Sequence, residues 1–101
     1  MKIKSYLNIY DVEPVYASYQ NNGSLAIQLI DTEDGCPFGT LTVNLEGYES
    51  LVDGEYAFVD TNNIPNAEEF IIENGLGAPT GIYGHSGYCE YPLYRFNRDD
   101  K

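Results

Sequence analysis

The chain has 101 residues, enough for one domain with a modest core and too few for two. With 43% hydrophobic residues and ten Tyr it is not a disordered acidic tail, and no apolar run approaches the roughly 18 residues of a membrane span. Sixteen Asp and Glu against five Lys and Arg give a net charge of −11, which disfavours direct nucleic-acid binding, because phosphate contacts need cations.

The five cations, Lys2, Lys4, Arg95, Arg98 and Lys101, all lie near the two ends. Between Lys4 and Arg95 there is no Lys or Arg, while every acid except Asp99 and Asp100 falls there. Such a field opposes compaction. One explanation is solubility; the other is a surface complementary to a basic partner, such as a protein whose groove normally holds phosphates. Met1-Lys-Ile-Lys4 is followed by alternating polar residues rather than the apolar block of a signal peptide, so a cytoplasmic protein is expected. In that setting Cys36 and Cys89 are expected as thiols or metal ligands, not as a disulfide.

In chain order, residues 3–10 alternate Ile3, Ser5, Leu7 and Ile9 against Lys4, Tyr6, Asn8 and Tyr10, the period of a half-buried strand, and residues 11–14 interrupt it. Residues 15–19 are β-prone, and Asn22-Gly23 supports a tight turn. Residues 24–30, with Leu25, Ile27 and Leu29 on one side, and residues 40–45, with Leu41, Val43 and Leu45 on one side, predict an antiparallel hairpin. Residues 46–54 are acidic and turn-rich, and residues 55–59 form a further strand.

Residues 60–63 are turn chemistry, Pro65 suits a first helical position, and Gly75 suits a C′ position. At about 100° per residue, Ala67, Phe70 and Ile71 share the buried face of the helix between them while Glu69 and Glu73 point away. Ile72 falls outside the buried face, as a second packing contact or an exposed anchor within the acids. Residues 75–87 read as a Gly-rich loop without the Lys of a phosphate loop. Residues 88–96 return to strand character, with Pro92 suggesting an edge strand, and residues 97–101 form a charged tail. The sum is a single α+β domain, a meandering antiparallel sheet of about five or six strands with one short helix packed on it.

Few residues suggest chemistry. His85 and Cys89 have an i, i+4 spacing, and Cys36 lies in a turn able to approach them, so zinc could be held with Asp34 or Glu33 as fourth ligand. The competing reading makes Cys89 a small buried hydrophobe on a strand and His85 an exposed loop residue. Carboxylate pairs such as Glu68 with Glu69 arise from composition alone, and no nucleophile has an assignable base, so the reading is non-enzymatic. Tyr6, Tyr10, Tyr88 and Tyr94 are expected off the core side, where Tyr serves interfaces.

Leu25-Ala-Ile-Gln-Leu-Ile-Asp-Thr-Glu-Asp-Gly35, Thr40-Leu-Thr-Val-Asn-Leu45, Tyr56-Ala-Phe-Val-Asp-Thr-Asn-Asn63 and Ser86-Gly-Tyr-Cys-Glu-Tyr-Pro-Leu-Tyr94 resemble a family of small proteins of unknown function. That family is encoded on plasmids, conjugative elements and prophages of Gram-positive bacteria. The resemblance covers about residues 24–96 and carries no catalytic residues. It implies a genomic setting, in which small acidic proteins resemble, as a class, anti-CRISPR and antirestriction inhibitors. The expectation is an inhibitor of a host defence nuclease, Cas9 foremost. Its basic nucleic-acid-binding region would be met by Glu33, Asp34, Glu46, Glu49, Glu68, Glu69 and Glu73, with Ile72 and Tyr88 as anchors. The alternative is a non-enzymatic interaction module of a mobile element with structural zinc at Cys36, His85 and Cys89.

Overall fold

The structure, a computed structural model, describes residues 1–5, 8–19, 25–45, 47, 48, 52 and 55–97. Its first sheet is built from β1 (Lys2–Ser5), β2 (Asn8–Ser18), β3 (Leu25–Asp31) and β4 (Pro37–Thr40), all antiparallel and in the order β1-β2-β3-β4. The second contains β5 (Thr42–Val43), β6 (Tyr56–Val59), β7 (Gly77–Ser86) and β8 (Cys89–Phe96), in the order β5-β6-β8-β7. One helix, α1 (Ala67–Glu73), lies between β6 and β7 in the chain. The α+β class is as expected, but the described residues form two four-stranded sheets instead of one meander of five or six strands.

The expected strand over residues 3–10 is a hairpin: Ser5 stands opposite Asn8, so Ile3 is buried on β1 while Ile9 is exposed on β2. The expected interruption at residues 11–14 lies within β2, where Val12 is buried and Pro14 half-buried. The proposed turn at Asn22-Gly23 lies outside the described residues, although Ser18 opposite Leu25 confirms an antiparallel pair.

In β3, Leu25, Ile27 and Leu29 are buried as the alternation predicts. Its hairpin partner is β4 rather than residues 40–45, because the chain changes sheet at Leu41. There the Leu41 N–H donates to the Ile27 carbonyl on one side (2.7 Å), while the Leu41 carbonyl accepts the Asp60 N–H on the other (2.8 Å). Next to it, the buried Thr42 hydroxyl accepts the Ile27 N–H at 3.1 Å, and the Tyr19 hydroxyl donates to the Thr42 carbonyl at 3.2 Å. A threonine side chain thus supplies a bond between the sheets where the backbone ladder has ended.

The stretch read as a Gly-rich loop is mostly β7, an edge strand whose register slips between Pro79 and Tyr83. Gly84 has a packing reason to be glycine. A Cβ there would lie 2.8 Å from Leu45 Cδ1 and from a Phe58 ring carbon. Conversely β8, expected at an edge because of Pro92, is central. Its Leu93, Tyr94 and Arg95 pair with Phe58, Ala57 and Tyr56 of β6, and Pro92 pairs only with Tyr83 of β7, so no ladder bond to β6 is lost at the proline.

The second sheet is covered on both faces. One packs Ala57, Val59, Tyr94 and Phe96 with the inner face of the first sheet and with α1; the other packs Phe58, Tyr91 and Leu93 beneath Leu45 and Tyr48. That is why Tyr91, Pro92, Leu93 and Tyr94 are buried in unbroken succession. Tyr94, expected to point outward, is only 1% exposed. Tyr10 is half-buried against Phe38, with ring centroids 5.1 Å apart, and Tyr6 lies outside the described residues.

Helix α1 buries Ala67, Phe70 and Ile71, the face its periodicity predicts. It starts two residues after Pro65, with Asn66 as N-cap, and the Asn66 side-chain amide donates to the Lys4 carbonyl of β1 at 2.9 Å. Gly75 ends it at φ 65°, a left-handed conformation that residues other than glycine rarely adopt. Of the expected tail, Asn97 is held by its N–H on the Leu76 carbonyl and its side-chain amide on the Gly75 carbonyl, both at 2.8 Å, and residues 98–101 lie outside the described residues.

Candidate functional site

The outward face of α1 carries exposed acids. The buried stripe of Ala67, Phe70 and Ile71 fixes the rotation of the helix, so Glu69, Ile72 and Glu73 must face solvent; Ile72 is 57% exposed. Like charges at i, i+4 disfavour the helix, and no basic residue in the last turn offsets Glu73. Between α1 and β1 runs a groove of about 300 Å³, floored by Ile3 and Phe70, with Glu69 and Glu73 on one rim and Lys2 and Lys4 on the other. Two of the five cations therefore border the helix acids.

Glu68 behaves differently from its neighbours. It is half-buried and accepts a 2.6 Å hydrogen bond from the Tyr94 hydroxyl. Burial, and then the Glu68 carboxylate, push the Tyr94 phenol well above its ordinary range. Glu68 therefore anchors α1 to β8.

Glu33 and Asp34 are exposed on the turn between β3 and β4, away from α1, which packs against β1 and β7. The carboxylates in this turn bend back on the chain: Asp31 Oδ1 accepts the Glu33 N–H (2.8 Å) and Asp34 Oδ1 accepts the Cys36 N–H (3.0 Å). Asp11 beside them is held below the usual carboxylate range by the Met1 α-ammonium, at 3.0 Å, and by Lys2, at 3.3 Å. Glu55 pairs with Arg95 at 3.2 Å, so cations from outside the long cation-free stretch neutralise some of its acids. Glu46 and Glu49 lie outside the described residues. The described acids are thus distributed over several elements, and on α1 the exposed Glu69 and Glu73 share their side of the helix with the exposed Ile72.

The hairpin of β7 and β8 brings His85 and Cys89 near each other, but by strand pairing rather than on one helix face: His85 stands opposite Glu90 and Ser86 opposite Cys89. His85 Nδ1 lies 3.7 Å from Glu90 Oε2, and Cys89 packs half-buried against Tyr91, whose phenol is pushed up by burial first and then by that thiol. Cys36 is exposed on the turn of the first sheet. Among the described residues no three His, Cys, Asp or Glu are grouped to hold a metal ion. Tyr88, at the tip of the hairpin, is fully exposed.

Asp60 is a feature that periodicity does not show. It follows β6 directly and is 8% exposed, the one buried ionisable carboxyl group among the described residues. Asp60 Oδ1 accepts the Asn63 N–H at 3.2 Å and Oδ2 accepts the Asn63 side-chain amide at 2.9 Å. The group lines a cleft of about 450 Å³ with Phe38, Gly39, Thr40, Asn63 and Ile64. The sequence signal was the turn-forming Asp60-Thr-Asn-Asn63, which identifies a turn but not that its carboxylate is enclosed.

These features define a small α+β domain of two antiparallel sheets, with an acidic helix face and an enclosed carboxylate beside the junction of the sheets. The chain belongs to the DUF4313 family: residues 15–101 match that domain of unknown function. No match is found among curated proteins or among solved structures. Among the described residues no helix is long and apolar enough to cross a membrane.

Proposed function

We propose that the protein is a non-enzymatic, cytoplasmic binder of a basic protein surface, and that it serves a mobile genetic element by inhibiting a host defence nuclease, Cas9 foremost. The observation that carries this reading is the outward face of α1, where the exposed Ile72 lies beside Glu69 and Glu73. An exposed apolar side chain beside two carboxylates suits a partner surface that joins an apolar contact to cationic groups. The position of Glu33 and Asp34 on another element, and the hydrogen bond from Tyr94 to Glu68, favour Glu69, Ile72 and Glu73 as the proposed contact group.

The test is inhibition of DNA cleavage by purified Cas9, comparing wild type with Glu69→Lys/Glu73→Lys. Glu68 is left intact because it holds Tyr94. The double variant is expected to fold as wild type and to lose inhibition by a factor of ten or more, about 1.4 kcal/mol. Wild-type inhibition should also weaken as salt rises. A wild-type protein without effect on cleavage would overturn the nuclease assignment, and a fully inhibitory double variant would remove the helix as the contact.

A further inference from the structure

We propose that the cleft at Asp60 receives a lysine side chain of the partner protein, with its ammonium group on the Asp60 carboxylate. The inference rests on the reading of the partner as basic and adds a specific socket to it, separate from α1. An enclosed carboxylate is costly unless hydrogen-bonded and paired with charge. Among the described residues the Asp60 carboxylate has the two donors of Asn63, both uncharged, and no Lys, Arg or His nitrogen pairs with it. A carboxylate offers about four acceptor positions, so capacity remains for a guest.

The shape of the cleft selects among cations. Phe38 and Ile64 give apolar surface for an aliphatic stem, Gly39 leaves the wall between them without a side chain, and Thr40 and Asn63 supply further polar atoms beside Asp60. Asn63 approaches both carboxylate oxygens at once, the position that the fork of a guanidinium would need. What remains suits a compact point charge with rotatable donors, which is the ammonium of lysine. A metal ion would lack its donor set, since no group of three ligating side chains is present among the described residues.

The experiment is an NMR titration of the labelled full chain at low ionic strength with Nα-acetyl-lysine amide, with the norleucine and arginine amides as comparisons. Lysine amide should shift the Thr40, Asn63 and Ile64 amides saturably, norleucine amide should not, and arginine amide should bind more weakly. Asp60→Asn keeps an acceptor for the Asn63 N–H and should weaken lysine binding about tenfold. Thr40→Lys, which keeps Asp60, should place its own ammonium in the cleft and exclude the probe, so the inference stays testable if the Asp60 variant misfolds. Equal binding by both variants, or shifts confined to Glu69 and Glu73, would overturn the socket and leave the helix contact standing. Shifts at the cleft in a protein that does not inhibit Cas9 would support the socket and overturn the nuclease reading alone.

Discussion

Tyr94 shows how one residue can serve two requirements. Its ring is among the largest fully buried side chains, and its hydroxyl reaches Glu68 on the half-exposed side of α1. Tyr94→Phe should lower stability by about 1–2 kcal/mol, because the buried hydroxyl bonds a charged acceptor that water can reclaim only in part. The same contact sets a pH dependence. The folded phenol titrates above the ordinary value of 10.0, so from about pH 10 the unfolded chain releases its proton first and stability falls as pH rises. Urea midpoints between about pH 8 and 11 should decline less steeply in Tyr94→Phe; an unchanged slope would contradict the assignment. At Gly84 the constraint is steric. The Phe58 ring and Leu45 are buried and 2.8 Å from the site of a Cβ, so Gly84→Ala should cost about 1–3 kcal/mol of overpacking in a thermal melt. A wild-type melting temperature would mean that β7 does not pack there.

At the level of elements, what could be read from the sequence followed from how many faces each segment buries. Helix α1 and strand β3 each bury one face, so their periods of 3.6 and 2 survive in the residues, and Ala67, Phe70, Ile71, Leu25, Ile27 and Leu29 are buried as expected. Strand β8 is buried on both faces and lost its alternation, which, with Pro92, disguised a central strand as an edge. Strand β7 is rich in glycine because its neighbours are close on one side and its backbone bends near Gly81, and that composition imitates a loop. Ile9 was misplaced because a hairpin reverses direction between Ser5 and Asn8, and so resets the face on which the count continues. The candidate site was legible where exposure follows from helix rotation, as for Glu69, Ile72 and Glu73. The enclosure of Asp60 was not, since Phe38, Thr40 and Asp60 meet only once the two sheets are placed.

For the whole molecule, the net charge of −11 resolves into local situations rather than a uniform field. Lys2 and Arg95 each engage an acid from the cation-free stretch, Glu68 is tied to the core, Asp60 is enclosed, and Glu69 and Glu73 stay open to solvent. Association driven by the open acids would be salt-sensitive and fast, whereas a lysine seated on Asp60 would be screened less and would act mainly on dissociation. The crossing of the chain at Leu41 has a mechanical consequence of its own. Since Leu41 and Thr42 bond to Ile27 in one sheet while Leu41 also holds Asp60 of the other, neither layer can peel away and leave its companion intact. The Ile27 and Asp60 amides should therefore become accessible to deuterium in a single concerted opening, with equal protection free energies in native-state exchange. Early labelling of Asp60 while Ile27 stays protected would reveal two layers that come apart one after the other.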